Sequence, residues 1–283
     1  MKTLTNKIDF AVVMMVNNAN PNGDPLNGNR PRETNDGYGE ISDVCIKRKI
    51  RNRLQDMGEN IFVQSQERVQ DGYKSLFDRA KGNKRLSQAL DKNDSESVRK
   101  IACKEWLDVR AFGQVFASKG SQKAVSVGIR GPVSIQSAFS IVPVSIESMQ
   151  ITKSVNGTTS EKKGRDTMGM KHKISSAMYV AKGSINCQLA QKTGFSDEDA
   201  EKIKEALKTL FENDASAARP EGSMEVCKVY WWKHNRPTGQ YSSAKVHRSL
   251  VIEANTDDPK SFNDYTIKIE PLEGLQPEEI EGM

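Results

Sequence analysis

The densest group of charged residues in the sequence lies in one short stretch near the N-terminus. Five cations fall within seven residues with no acidic residue between them, namely Lys47, Arg48, Lys49, Arg51 and Arg53. Like charges at this spacing repel one another on an isolated helix. A polyanion removes that penalty, and a guanidinium can bind a phosphate through two hydrogen bonds. The absence of interleaved carboxylates favours phosphate binding over the alternative, a solvated outer helix face.

A polar loop, residues 18–40, precedes this stretch. Asn, Gly, Pro and Asp dominate it, and no hydrophobic period survives. Amide side chains and exposed backbone N–H groups suit phosphates, ribose hydroxyls and base edges. The arginines at its end favour RNA contact over a turn-rich connector. The candidate RNA-binding residues here are Asn20, Asn22, Asn29, Arg30 and Arg32.

A second polar and basic loop is predicted over residues 154–173. Met168 and Met170 lie near its tip or exit, followed by Lys171 and His172. A flexible apolar side chain beside basic groups could wedge between bases, at an unstacking cost of a few kcal/mol. The alternative is a mobile surface loop with incidental methionines.

Two further arginines, Arg110 in DVRAFG and Arg130 in GIRGP, lie between these segments. Both could flank a nucleic-acid groove. Either could equally be an ordinary surface or structural arginine.

Signals for catalysis are poor. The three histidines form no H-x-x-x-H or H-E-x-x-H motif, and neither G-x-S-x-G nor G-x-x-x-x-G-K-[ST] occurs. We therefore predict no catalytic residue, metal or cofactor. Asp24 could activate a ribose 2′-hydroxyl or bind a metal, but in a loop rich in Asn and Pro an acid more often forms an Asx-turn.

Charge is distributed unevenly along the 283 residues, which carry a net +5. From residue 253 onward nine acidic residues oppose two lysines, so this tail carries −7 and residues 1–252 carry +12. Such asymmetry is typical of a nucleic-acid binder or of a protein that contacts copies of itself. Only 6% of residues are aromatic, which argues against a stacked aromatic platform.

The four scattered cysteines indicate a reducing compartment, since none lies in a C-x-x-C pair or at zinc spacing from a histidine. The N-terminus lacks a signal-peptide pattern, and no stretch approaches the ~18 apolar residues of a membrane span. We expect a soluble cytoplasmic protein.

Hydrophobic patterns place the candidate residues on an α+β framework. A strand buried on both sides is predicted over 7–17, and an amphipathic helix capped by Ser42 over 43–57. Two further strands, a helix and a last strand then follow. The complete order is βαββαβ, which is typical of ferredoxin-like and RRM-like folds. These later elements are predicted over 131–153, 175–189, 196–213 and 224–234.

Four blocks of this sequence resemble the backbone subunit of type I-C CRISPR Cascade, in the Cas seven superfamily. The first, NNANPNGDPLNGNRPRETNDGYGEISDVCIKRKIRNRL, is the most specific. DVRAFGQVF, GPVSIQSAFSIVPV and TMGMKHKISSAMYVAKGSIN resemble later blocks of the family in the same order. The resemblance covers most of residues 7–234.

The resemblance implies an RRM-like palm with a helical finger insertion and a β-hairpin thumb. Copies of a non-catalytic subunit would stack along one crRNA, and Arg30, Arg32, Lys47, Arg48 and Arg51 would hold its backbone. The implied divisions are a palm at 1–59 and 128–234, a finger at 60–127, a thumb at 154–173 and a C-terminal extension at 235–283, acidic from 253.

The same resemblance implies the partners. They are crRNA, target DNA paired to the guide, copies of the chain itself, and the Cas five, large and small subunits of Cascade, with no membrane. Two other functions stay open: a metal-dependent endoribonuclease using Asp24, as in relatives from type III systems, and a protein scaffold whose basic face binds acidic partners.

Overall fold

The computed structural model of the protein describes residues 2–119, 124–155, 159 and 168–283. Its strands are β1 (Ile8–Ala19), β2 (Gly23–Asp24), β3 (Arg30–Pro31), β4 (Tyr38–Ile41), β5 (Gly113–Lys119), β6 (Ala124–Arg130), β7 (Val133–Ile135), β8 (Ala138–Pro143), β9 (Ile146–Thr152), β10 (Met168–Ile185), β11 (Met224–Lys233), β12 (Leu250–Ala254), β13 (Tyr265–Ile269) and β14 (Glu278–Glu281). Its helices are α1 (Asp43–Asp56), α2 (Leu76–Gly82), α3 (Lys84–Asp91), α4 (Ser95–Glu105), α5 (Leu107–Phe112), α6 (Cys187–Thr193), α7 (Asp197–Lys208) and α8 (Ser243–Ser249).

An antiparallel sheet of eight strands forms the centre of this mixed α/β protein. Its order is β14-β11-β1-β10-β8-β4, with β7 and β9 also paired to the long strand β10. The predicted central strand is confirmed: β1 pairs with β10 on one side and β11 on the other, and its residues alternate between two buried faces. Both faces are apolar because both are covered.

Helices α1 and α7 cover the first face of the sheet. Ile46, Ile50 and Leu54 of α1 recur at helical spacing and are buried in the main core. The predicted Ser42 cap is confirmed, since Ser42 Oγ accepts a hydrogen bond from the backbone N–H of Cys45. A capping box also forms at the start of α7, between Ser196 and Asp199.

The C-terminal segment, residues 235–283, covers the second face. Its apolar side chains, such as Val246 and Leu272, pack over Met15, Tyr230 and Trp232 of the sheet. Its acidic end adds β14 to the sheet edge, where Glu278 pairs with Lys204, and Glu279 and Glu281 pair with Lys228. The acidic tail therefore neutralises lysines of its own chain.

Residues 60–130 have a core of their own. Helices α2–α5 and the β5–β6 hairpin surround Phe62, whose ring lies 4.7 Å from that of Trp106 and 5.0 Å from that of Phe116. The predicted short helices are present, whereas the hairpin was not predicted from the sequence. No helix among the described residues is long and apolar enough to cross a membrane.

Two segments predicted as loops contain strands. Residues 38–41 form β4, which pairs with β8, and Met168–Lys173 form the first part of β10, which pairs with β9. Backbone pairing of this kind needs no apolar alternation, so the hydrophobic pattern gave no signal. Most of the predicted loop tip, 156–158 and 160–167, lies outside the described residues.

A buried polar cluster fastens the C-terminal segment to the central strand. Asp9 of β1 is fully buried, and its Oδ2 lies 2.8 Å from His234 Nε2 and 2.9 Å from Lys7 Nζ. Burial alone would raise the pKa of Asp9, but hydrogen bonds from His234, Ser243 and Lys7 outweigh burial and lower it. Asp9 therefore stays charged, and His247 of α8 lies 4.0 Å from its other oxygen.

We expect the protein to lose stability as the pH falls below about 6.5. Burial lowers the pKa of His247, and its hydrogen bond to the carbonyl of Gly183 offsets this only in part. The unfolded chain therefore binds a proton at a pH where the folded imidazole stays neutral, and the free energy of unfolding falls with the pH. Thermal unfolding at a series of pH values should show a shallower slope for His247→Gln; equal slopes would contradict this account.

Candidate nucleic-acid interface

Four of the five cations of α1 pair with acids, three of them with acids from outside the helix. Arg53 pairs with Glu212, whereas Lys47 pairs with Asp43 one turn earlier in α1 itself. Lys49 is 4% exposed and pairs with Asp214, and Arg51 Nε lies 2.9 Å from Asp108 Oδ2. The prediction that the whole cationic run faces a phosphate chain therefore needs correction. Three of the acids that pair with this run come from distant segments, and spacing along one helix does not reveal them.

Two other candidates are also engaged internally. Arg110 donates to both carboxylate oxygens of Asp199, at 2.9 and 2.7 Å, and is a structural arginine. Burial alone would lower the pKa of Arg110, but the Asp199 hydrogen bonds outweigh it and raise the pKa. Asn20 is 3% exposed and donates to the carbonyl of Asn29 at 2.7 Å. Lys49 and Asn20 are thus buried, and Arg51 and Arg110 are partly buried in internal ion pairs, so all four stabilise the fold.

Arg48 is the exposed cation of α1, and its neighbour Lys49 provides a matched comparison. Arg48→Ala should leave stability unchanged and reduce the salt slope of RNA binding by about one unit. Lys49→Ala should instead lower the free energy of unfolding by on the order of 2 kcal/mol, because Asp214 loses a buried partner. Urea unfolding and fluorescence anisotropy with a labelled RNA measure the two effects, and the reverse pattern would show that Lys49 is the ligand-facing residue.

The polar loop and the β9–β10 hairpin meet at one surface. Arg30 Nη1 donates to Ser148 Oγ at 2.8 Å, and the same oxygen lies 2.8 Å from His172 Nδ1. On the other side of the hairpin, Lys173 Nζ donates to Asn18 Oδ1 at 2.7 Å. We call this surface the loop–hairpin surface; it comprises residues 18–32, 147–152 and 168–173.

Backbone hydrogen bonds fix the shape of the loop. Arg32 N–H donates to the carbonyl of Asn22, and Asn22 Oδ1 accepts from both N–H and Oγ of Ser42 at the start of α1. Asn29 adopts a left-handed φ of 61° that closes the turn before Arg30. The predicted functional asparagines thus include at least one, Asn22, whose amide oxygen serves the helix cap.

The register of the hairpin sorts its side chains onto two faces. Met168, Met170 and His172 lie on one face with Ser148 and Gln150, because register partners and alternate residues share a face. Lys171 and Lys173 lie on the other. Met168 is 61% exposed and Met170 is 56% exposed. Exposed methionines on a cationic hairpin are consistent with the predicted wedge, which stays a prediction.

Arg130 ends β6 and is exposed. It belongs to the β5–β6 hairpin, whose Gly113 is its register partner. Among the described residues, no side-chain hydrogen bond or ion pair joins Arg130 to the loop–hairpin surface, and its role in a groove stays a prediction.

Asp24 stabilises a turn. Its Oδ1 accepts from the backbone N–H of Leu26 at 3.2 Å and lies 3.5 Å from Arg32 Nη2. This is the Asx-turn alternative of the sequence analysis. Across the described ranges, no group of three or more His, Cys, Asp or Glu side chains is placed to hold a metal ion.

Ser148 was missed by sequence reasoning. The residue type of an exposed serine in a strand does not indicate a function. Only the pairing of β9 with β10 brings Ser148 to His172. Only the path of the polar loop brings it to Arg30.

Comparison with known proteins places the chain in a family. Residues 6–270 match the family described as CRISPR-associated protein Cas7. A protein of that description from Haloferax volcanii is 34% identical over 122 residues, which are 43% of this chain and 35% of the relative. The chain thus matches about a third of that relative's length.

Two solved structures contain chains that align with most of this chain. One is a CRISPR RNA-guided surveillance complex in a pre-nicking form, with 18% identity, coverage of 84% of this chain and 81% of that chain, and a TM-score of 0.47. The other is a CRISPR RNA-guided surveillance complex with 17% identity, coverage of 82% and 71%, and a TM-score of 0.46.

The fold and surface define a mixed α/β protein with an antiparallel sheet, helices packed against it and a cationic loop–hairpin surface. With the family model matching nearly the whole chain, the protein belongs to the CRISPR-associated Cas7 family.

Proposed function

We propose that this chain is a non-catalytic crRNA-binding subunit that forms the backbone of a type I-C CRISPR Cascade surveillance complex. Membership of the Cas7 family and the four sequence blocks support the proposal. The observation that carries it is the loop–hairpin surface, where Arg30 of the loop and His172 of the hairpin meet at Ser148 although they are distant in sequence.

A finer description of the fold belongs to the same proposal. Strands β11, β1, β10 and β8 lie side by side in the order fourth, first, third and second of a βαββαβ unit, which supports an RRM-like palm. The separate core around Phe62 supports a finger at 60–127, and the β9–β10 hairpin supports a thumb. The palm boundaries, 1–59 and 128–234, follow from these assignments.

The RNA would lie on the loop–hairpin surface and not on the second sheet face. An RRM commonly stacks bases on aromatic side chains of its open sheet. Here Tyr230 and Trp232 are 2% and 0% exposed because the C-terminal segment covers them. Cations and amides on a loop and a hairpin suit phosphate and ribose contact, which accepts any guide sequence.

Target recognition then follows from base pairing between guide and DNA, as in other RNA-guided effectors. In this proposal the partners are crRNA, target DNA through the guide, further copies of the chain, and the Cas five, large and small subunits. The subunit would act in the cytoplasm, with no membrane partner.

Purification of the full chain with its neighbours in the operon tests the proposal. We expect oligomers with a high ratio of absorbance at 260 to 280 nm that contain RNA of uniform length and dissociate on nuclease treatment. A complex free of nucleic acid would contradict RNA binding and favour a protein scaffold.

The non-catalytic part of the proposal has its own test. The purified complex, incubated with complementary RNA and Mg²⁺, should leave that RNA intact. Periodic cuts that disappear in Asp24→Ala would contradict it and identify a metal-dependent endoribonuclease.

A further inference from the structure

Ser148 joins the two parts of the loop–hairpin surface. Its hydroxyl oxygen contacts both Arg30 of the loop and His172 of the hairpin, each at 2.8 Å. These contacts span 118 and 24 residues of sequence, so they hold together segments that the chain itself does not connect. Ser148 is exposed, and its side chain contributes nothing to the core.

Ser148 Oγ hydrogen-bonds both side chains, and the tautomer of His172 sets the direction of the second bond. The Ser148 oxygen accepts from the guanidinium of Arg30, so its own hydrogen is available to His172 Nδ1. With Nδ1 as acceptor, the imidazole carries its proton on Nε2. The remaining N–H groups of Arg30 and the Nε2–H of His172 are then donors without a recorded partner among the described residues.

The neighbouring carboxylates of Asp24 and Glu147 accept no hydrogen bond from Arg30 or His172 in the described structure. Asp24 is the register partner of Arg30, but its carboxylate contacts Leu26 and Arg32. Glu147 pairs with Lys173 on the opposite face of the hairpin. Within the described ranges, Arg30 and His172 form no ion pair. Both have N–H groups that can donate a hydrogen bond to a ligand.

We infer that Arg30 and His172 form one binding site for a phosphodiester group of single-stranded RNA, and that Ser148 is the positioning residue that brings the two donors together. The inference rests on the proposed function. It holds that the hydroxyl oxygen of Ser148 couples the loop to the hairpin. Charge-assisted hydrogen bonds from an arginine and a second fixed donor are the usual means of holding a phosphate. Ser148 acts through Arg30, because its own hydroxyl is already used.

A double-mutant cycle tests the inference in the full chain. The measured quantity is the dissociation constant for a labelled single-stranded RNA of arbitrary sequence. Ser148→Ala should weaken binding by about 5-fold, the effect of one net hydrogen bond, and Arg30→Ala by about 10-fold or more. In the Arg30→Ala background, Ser148→Ala should cause no further loss, because the residue it positions is gone. Ser148→Thr, which keeps the hydroxyl, should restore most of the affinity.

Ser134→Ala is the matched control, since Ser134 is also an exposed serine in a strand, and it should bind as the wild type does. If Arg30→Ala weakens binding while Ser148→Ala has no effect, or adds its full effect to Arg30→Ala, the positioning role is wrong and the proposed function stands. If the wild-type chain binds no RNA, the proposed function fails and this inference fails with it.

Discussion

The triple variant Arg30→Ala, Arg32→Ala, Lys171→Ala is expected to bind guide RNA at least about 100-fold more weakly than the wild type, whatever the guide sequence. Each residue supplies one cation to the loop–hairpin surface, and each lost contact with a phosphate costs about 1–2 kcal/mol. The slope of log affinity against log salt should fall by about three units, because fewer counterions are released on binding. Titrations of two unrelated RNA sequences at several salt concentrations measure both quantities.

The control removes the same charge elsewhere. Lys84, Lys104 and Lys192 are exposed lysines without a recorded ion pair in the described structure. Their combined substitution by alanine lowers the net charge equally and should cost far less affinity. Equal losses in the two triple variants would mean that overall charge, and not this surface, binds the RNA.

The second large effect concerns stability. Asp108→Ala is expected to lower the free energy of unfolding by about 3–5 kcal/mol. The Asp108 carboxylate is fully buried and accepts from the backbone N–H groups of Phe62 and Val63, at 2.7 and 3.0 Å, and from Arg51 Nε at 2.9 Å. Its removal leaves Arg51 half-buried without a partner and frees the start of the 60–130 unit from α1.

Urea unfolding followed by circular dichroism measures this loss. Glu96→Ala provides the control, because Glu96 pairs with Lys100 on an exposed helix face, where ion pairs contribute little to stability. Similar stabilities for Asp108→Ala and Glu96→Ala would show that the buried carboxylate does not fasten the two units together.

The framework of the fold was predictable because its signals are local. The alternation in β1, the buried stripe of α1 and the Ser42 cap of that helix each lie within a dozen or so residues, and the structure confirms all three. The strand β4 was not predictable in this way. It depends on backbone pairing with β8 and on Gly39, where a Cβ atom would lie 2.0 Å from the Tyr179 hydroxyl.

The candidate site shows the limit of charge patterns. Five cations in α1 have the same sequence signature, but Lys49 and Arg51 point to Asp214 and Asp108 from other segments, and Arg48 points to solvent. Whether a cation of α1 is buried and paired depends on which acidic residue of another segment packs against its turn of the helix. Arg30 and His172, 142 positions apart, were predicted separately, and their meeting at Ser148 required the tertiary structure.

Ultraviolet cross-linking of bound RNA, followed by peptide mapping, tests most directly whether the loop–hairpin surface holds the guide. The account predicts cross-links within residues 18–32, 147–152 and 168–173, and their loss in the Arg30, Arg32 and Lys171 triple variant. Cross-links concentrated on the C-terminal segment, residues 235–283, with none on the loop or the hairpin, would contradict it.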